Sequence, residues 1–237
     1  MTKPLSVTIF IGAPGTRGTG LLERLTNDCG GLRVAAITPW KASKRAASRT
    51  GLTLLPTTQR LKRLGQGCSC CTVRWDVLTK VRRLAEEGRA DHVVIQVPPQ
   101  SDLDSLAKTF TVPDDTGAVL EDVAQIQQVV TMVDGPSFLD TLRSDAAATL
   151  MERVGTAHKV WVDGATTLDA DVETSVVRAI EAMNPDATLL RGDGGRIPIS
   201  ILTGAVRSGD SGEQPGYDVE QAMAVDSEQA DFGIQSG

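Results

Sequence analysis

Three cysteines fall within four residues, Cys68-Ser69-Cys70-Cys71, directly after Gly67. Thiolates are soft ligands suited to Zn²⁺ and Cu(I), and three of them beside a glycine can converge on one ion. Arg60, Lys62, Arg63 and Arg74 flank the triplet and favour the thiolate form. Cys71 stands just ahead of an expected helix, whose positive end acts in the same direction. Zn²⁺ held by Cys68, Cys70 and Cys71 is therefore the leading expectation. Ligation by both adjacent thiols strains the geometry, and a further position is left for water, a nucleotide group or a partner residue. Two other readings stay open, three small buried thiols and a redox site. Cys29, the fourth cysteine, reads as a lone small residue.

A second constellation, Gly12-Ala13-Pro14-Gly15-Thr16-Arg17-Gly18-Thr19-Gly20, follows the apolar run Leu5 to Ile11. A glycine-rich turn between a buried strand and a helix offers backbone N–H groups to phosphate. That pattern asks for Gly, four residues, then Gly-Lys-Ser/Thr. Counted from Gly12, Arg17 stands at the second glycine, Gly18 at the lysine and Thr19 at the hydroxyl that faces Mg²⁺. The point charge that lysine places between β- and γ-phosphates is missing. Arg17 lies one residue early, with a guanidinium able to meet a phosphate. Gly12, Gly15, Thr16, Arg17, Gly18 and Thr19 are the candidate nucleotide contacts. From these residues alone, a phosphate cradle and a collapsed or repurposed loop remain alternatives.

Strands and helices must alternate to position these groups. Leu5 to Ile11, Leu32 to Ile37, His92 to Val97, Val129 to Val133, Lys159 to Val162 and Thr188 to Leu190 are short apolar runs that read as buried strands. Helical spacing is expected over Thr19 to Asn27, Asp76 to Glu87 and Asp169 to Met183, with another helix opening at Pro136. Such alternation predicts an α/β fold, a three-layer P-loop NTPase-like arrangement with a mainly parallel sheet and helices on both faces. Ligands then sit at the carboxyl ends of the strands. Asp134 reads as a cap of the following helix or as a magnesium ligand. His92 and His158 read as surface residues, and Trp40, Trp75 and Trp161 as packing anchors.

The 237 residues carry a net charge of −6, and the distribution is uneven. Residues 206–237 hold seven acids against one base, Arg207. With few large apolar side chains, that stretch cannot repay its ordering entropy, so residues 1–205 are expected to form the domain and 206–237 an acidic, disordered tail. Lys41 to Arg83 holds eleven bases and one acid, Asp76. Phosphates, anionic ligands, the tail or plain solvation could each answer that charge. Aromatic residues make up 3%, which argues against a base-stacking nucleic-acid surface. No run of eighteen apolar residues and no signal-peptide pattern is seen, so a cytoplasmic setting without membrane association is expected.

The segment GCSCCTV, Gly67 to Val73, closely resembles the GC-x-CCT segment of the CobW/HypB/UreG-type GTPases, specifically the CobW-like metallochaperones. Leu5 to Leu25 resembles that family's strand, P-loop and first helix, and Val129 to Asp134 with Phe138-Leu139 its VVTVVD…FL stretch. Ala157 to Thr166 sits where the family reads guanine, and Asn184-Pro185-Asp186-Ala187 resembles its NP-x-A. The similarity spans roughly residues 5 to 195. It implies a GTP- and Mg²⁺-binding domain that passes a metal to a client metalloprotein. Several family residues are replaced. The P-loop lysine is Gly18, the Asn-Glu pair after the second strand is absent from Thr38-Pro39-Trp40-Lys41, the glutamate after the third core strand is Gln96, and the glycine behind it is Pro99. Asn-Lys-x-Asp becomes Asp163-Gly164-Ala165-Thr166. Each lost charge-assisted bond to nucleotide costs about 1.5–3 kcal/mol. The resulting expectation is a zinc or transition-metal binding chaperone or regulator with impaired or absent GTP hydrolysis. A functional GTPase or ATPase with a non-standard loop, and a pseudo-GTPase interaction module, are the alternatives.

Overall fold

The computed structural model describes residues 3–12, 25–26, 31–38, 52–56, 69–97, 101, 103–113, 117–192 and 196–204. The strands are β1 (Leu5–Ile11), β2 (Leu25–Thr26), β3 (Val34–Thr38), β4 (Thr53–Pro56), β5 (His92–Val97), β6 (Ala124–Asp134), β7 (Lys159–Asp163), β8 (Thr188–Arg191) and β9 (Ile197–Pro198). The helices are α1 (Ser69–Glu86), α2 (Leu103–Thr111), α3 (Phe138–Leu142), α4 (Ala147–Gly155), α5 (Ala170–Met183) and α6 (Ile199–Thr203). Among the described residues, seven strands form one sheet in the order β4-β3-β5-β1-β6-β7-β8, and every neighbouring pair is parallel. This is the expected three-layer α/β architecture.

Alternating side chains of β1 explain the layers. Val7, Ile9 and Ile11 meet Val77, Val81 and Leu84 of α1 and Leu106 and Phe110 of α2. On the same side, Val133, Val160 and Val162 pack against Phe138 of α3, Leu150 and Val154 of α4, and Val176 and Ile180 of α5. Phe10 faces the other layer with Val94, Val130, Met132 and Trp161, beneath Ile199 and Leu202 of α6. Between Val7 and Thr8 the register of β1 on β6 shifts, from Val7 opposite Ile126 to Thr8 opposite Gln128, leaving Gln127 as a bulge. The bulge inverts the in-and-out order of β6 downstream.

Two expectations about elements are corrected. Leu25 and Thr26, placed in a helix over 19–27 by the spacing of Leu21, Leu22 and Leu25, instead form β2 and pair in parallel with β9. Pairing with a strand 172 residues away leaves no periodicity to read locally. The helix expected from Asp76 starts at Ser69, because neither Gly nor Pro interrupts 69–87. Cys70 and Cys71 therefore belong to the first turn of α1. The glycine-rich residues 13–20, Cys29, Cys68, Trp40, Pro99 and the expected tail lie outside the described residues.

Candidate functional site

Strand order fixes where a ligand would sit. The chain leaves β1 toward β3 on one side and leaves β6 toward β7 on the other, so the neighbours β1 and β6 diverge at their carboxyl ends. That divergence opens the crevice in which doubly wound sheets bind ligands. Gly12, buried at the end of β1, and Asp134, at the end of β6, stand at this point. Of the candidate nucleotide contacts, Gly12 alone is described. Gly15, Thr16, Arg17, Gly18 and Thr19 continue from it outside the described residues.

On the β5 side, Thr38 and Gln96 are both buried, and Thr38 Oγ1 donates to Gln96 Oε1 at 3.1 Å. A neutral carboxamide thus occupies the strand end, fixed by a hydroxyl from the neighbouring strand β3. On the β6 side, Asp134 Oδ2 accepts from the Ser137 amide at 3.1 Å and from the Ser137 hydroxyl. This closes the turn into α3, whose N-cap position is Ser137, so Asp134 braces the turn ahead of the helix and is not its cap. For Mg²⁺, a hard cation that takes carboxylate and water oxygens, the described strand ends of β5 and β6 fit poorly. They supply an amide, and a carboxylate already engaged by Ser137.

Beyond Asp134 the floor is packed tightly. The Gly135 amide donates to the Asp163 carbonyl at 2.8 Å, and a Cβ on Gly135 would lie 2.9 Å from that oxygen. Asp163 is 8% exposed, and its Oδ1 accepts from Trp161 Nε1 at 3.4 Å. Gly164 follows with φ of +70°, a conformation that favours glycine. The Gly192 amide donates to the Val162 carbonyl at 2.8 Å, and a Cβ there would lie 2.4 Å from Trp161 Nε1. Gly135, Gly192 and the Trp161–Asp163 pair were not legible as site residues. The i, i+2 spacing of Trp161 and Asp163 on one strand was the available signal.

The histidines separate. His158 is exposed, as expected, and accepts from the Val129 amide at 3.1 Å through Nδ1. His92, expected at the surface, is buried at 4% exposure, because β5 lies between β1 and β3. Burial pushes its pKa down to about 4, opposed by the carbonyl of Leu202.

The sequence profile of the CobW/HypB/UreG nucleotide-binding domain matches residues 6–191. The chain belongs to this family. Zinc-regulated GTPase metalloprotein activator 1 of Dictyostelium discoideum is 26% identical over 265 aligned positions, covering 99% of this chain and 56% of that protein. The protein of the same name from Schizosaccharomyces pombe is 26% identical over 147 positions, covering 60% of this chain and 35% of its own length. The chain thus spans about half or less of the curated relatives it matches. The Zn(II)-bound YjiA GTPase from E. coli has the same fold, with a TM-score of 0.64 at 17% identity over 87% of this chain and 64% of that one. In this CobW/HypB/UreG domain, Cys70 and Cys71 open the helix that packs beside β1 and β5. Among the described residues, no three His, Cys, Asp or Glu side chains gather as a metal site, and Cys68 is not among those residues.

Proposed function

We propose that this CobW/HypB/UreG domain handles zinc as cargo, gripping it through Cys68, Cys70 and Cys71, with nucleotide hydrolysis impaired or absent. The observation that carries the reading is the chemistry at the strand ends. A carboxamide, Gln96, tied to Thr38, stands where the family resemblance asks for a carboxylate, while the thiol triplet leads into α1. The donor set fits zinc, since thiolates are its favoured structural and transfer ligands. The zinc-regulated activators among its relatives support the same direction. Weak nucleotide contacts at Gly12, Gly15, Thr16, Arg17, Gly18 and Thr19, a cytoplasmic setting, a client metalloprotein as acceptor and a tail over 206–237 complete the proposal.

Metal analysis of the purified chain is the test. About one equivalent of Zn²⁺ is expected, lost on Cys68→Ser. A protein that binds no zinc, or binds it undiminished after the substitution, ends the proposal. Calorimetric titration of GTP and ATP, with and without Zn²⁺, addresses the nucleotide. A second reading, a working GTPase or ATPase with a non-standard loop, draws on the entry of that loop at the β1–β6 divergence. It requires hydrolysis that falls on Thr19→Ala or Arg17→Ala.

A further inference from the structure

Beneath α6 the apolar cluster that holds Ile199 and Leu202 is interrupted by a group of buried polar side chains. Thr8 of β1, His92 of β5 and Gln128 of β6 are all buried there. The Thr8 hydroxyl donates to the Leu202 carbonyl and meets His92 Nε2 at 2.9 Å. Gln128 Nε2 reaches the Leu202 carbonyl at 2.5 Å, Thr8 Oγ1 at 3.2 Å and the Ile201 carbonyl at 3.4 Å. Lys159 Nζ of β7 donates to the Ile201 carbonyl at 3.2 Å. Three strands therefore satisfy the last carbonyls of α6, which a helix leaves without internal partners. The bulge at Gln127 makes this possible, since uninterrupted alternation would turn Gln128 to the α1 side.

The same segment is fastened a second time. Ile197 and Pro198, immediately before α6, pair with Leu25 and Thr26, which follow the glycine-rich residues in sequence. Ile199 and Leu202 are fully buried, and Gly204 closes the helix in the left-handed conformation at φ of +67°. A five-residue helix is too short to persist undocked. If it leaves, water can satisfy Thr8, His92, Gln128 and Lys159, so its departure strands no buried polar group. The cost that remains is exposure of Ile199, Leu202 and the apolar side chains they cover.

We propose that residues 197–204 form a detachable clasp, in which release of α6 from Thr8 and Gln128 and unpairing of β2 from β9 are one event. The clasp ties the chain's exit at Gly204 to the segment behind the glycine-rich loop, so whatever engages the chain beyond Gly204 also acts on that segment. The inference is independent of zinc and of nucleotide. Native-state hydrogen exchange on the full chain tests it. Leu202→Ala is expected to raise exchange at Gly204, Ile197, Leu25 and Thr26 together by at least tenfold, with α5 unchanged. Gly204→Ala, a milder variant that strains only the helix end, is expected to raise the same amides a few-fold. Faster exchange at Gly204 with Leu25 and Thr26 unmoved in either folded variant overturns the proposal. So does an equal loss of protection in α5 in Gly204→Ala, which would make the release global.

Discussion

A methyl group at Gly192 would stand 2.4 Å from the indole nitrogen of Trp161, a residue only 1% exposed and without room to turn. Gly192→Ala should therefore overpack the floor beside Asp163 and cost about 1–3 kcal/mol. The measurement is the denaturation midpoint at unchanged m-value, and a wild-type midpoint would show that the ring yields. The contact is invisible in sequence, because Gly192 looks like any other glycine and its partner lies 31 residues earlier. Gly12 was legible for the opposite reason, since it directly follows a recognisable strand. Arg153 illustrates a further residue-scale tension. It is 3% exposed, and its Nη1 has no hydrogen-bond partner among the described residues, while Nε donates to the Thr149 carbonyl at 3.0 Å. Burial pulls its pKa below the ordinary arginine value, opposed by Glu152.

At the scale of elements, β1 is the strand on which both layers depend. Ile9 and Phe10, each 1% exposed, face opposite sides of the sheet. Ile9→Ala is expected to cost about 2–5 kcal/mol and Phe10→Ala about 3–5 kcal/mol. Both losses should appear in one shared transition when followed by tryptophan fluorescence and by circular dichroism. Separate transitions for the two probes would mean that the layers unfold independently. The strands β1, β5 and β7 were legible to within a residue, because each is a compact apolar run bounded by Gly or Pro or by polar residues. The strands β2 and β9, two residues each, and the five-residue helix α6 had no such mark, whereas the short α3 was announced by Pro136. The conformations of β2, β9 and α6 come from distant partners, which local spacing does not encode.

For the whole molecule, buried His92 makes stability depend on pH. Its pKa is about 4 in the folded chain, against an ordinary value of 6.5. Between those values the unfolded chain takes up a proton that the folded chain refuses, so stability rises with pH across this window. The contribution is complete above 6.5 and is lost as pH falls toward 4, amounting to on the order of 3 kcal/mol. Unfolding free energies measured from pH 4 to pH 7 should show a slope that His92→Gln flattens. An unchanged slope would place the proton uptake elsewhere. The overall architecture was legible because alternating strands and helices leave few topologies, whereas the floor under α6 was not, since His92 and Gln128 gain their meaning only from strand order. That order also bears on synthesis. Leu5–Ile11 leaves the ribosome before both of its sheet neighbours, which begin at His92 and Ala124. At ordinary translation speeds the strand waits roughly 4–16 s before β5 begins to emerge. A naked apolar ribbon exposed for that interval is a natural client for a nascent-chain chaperone.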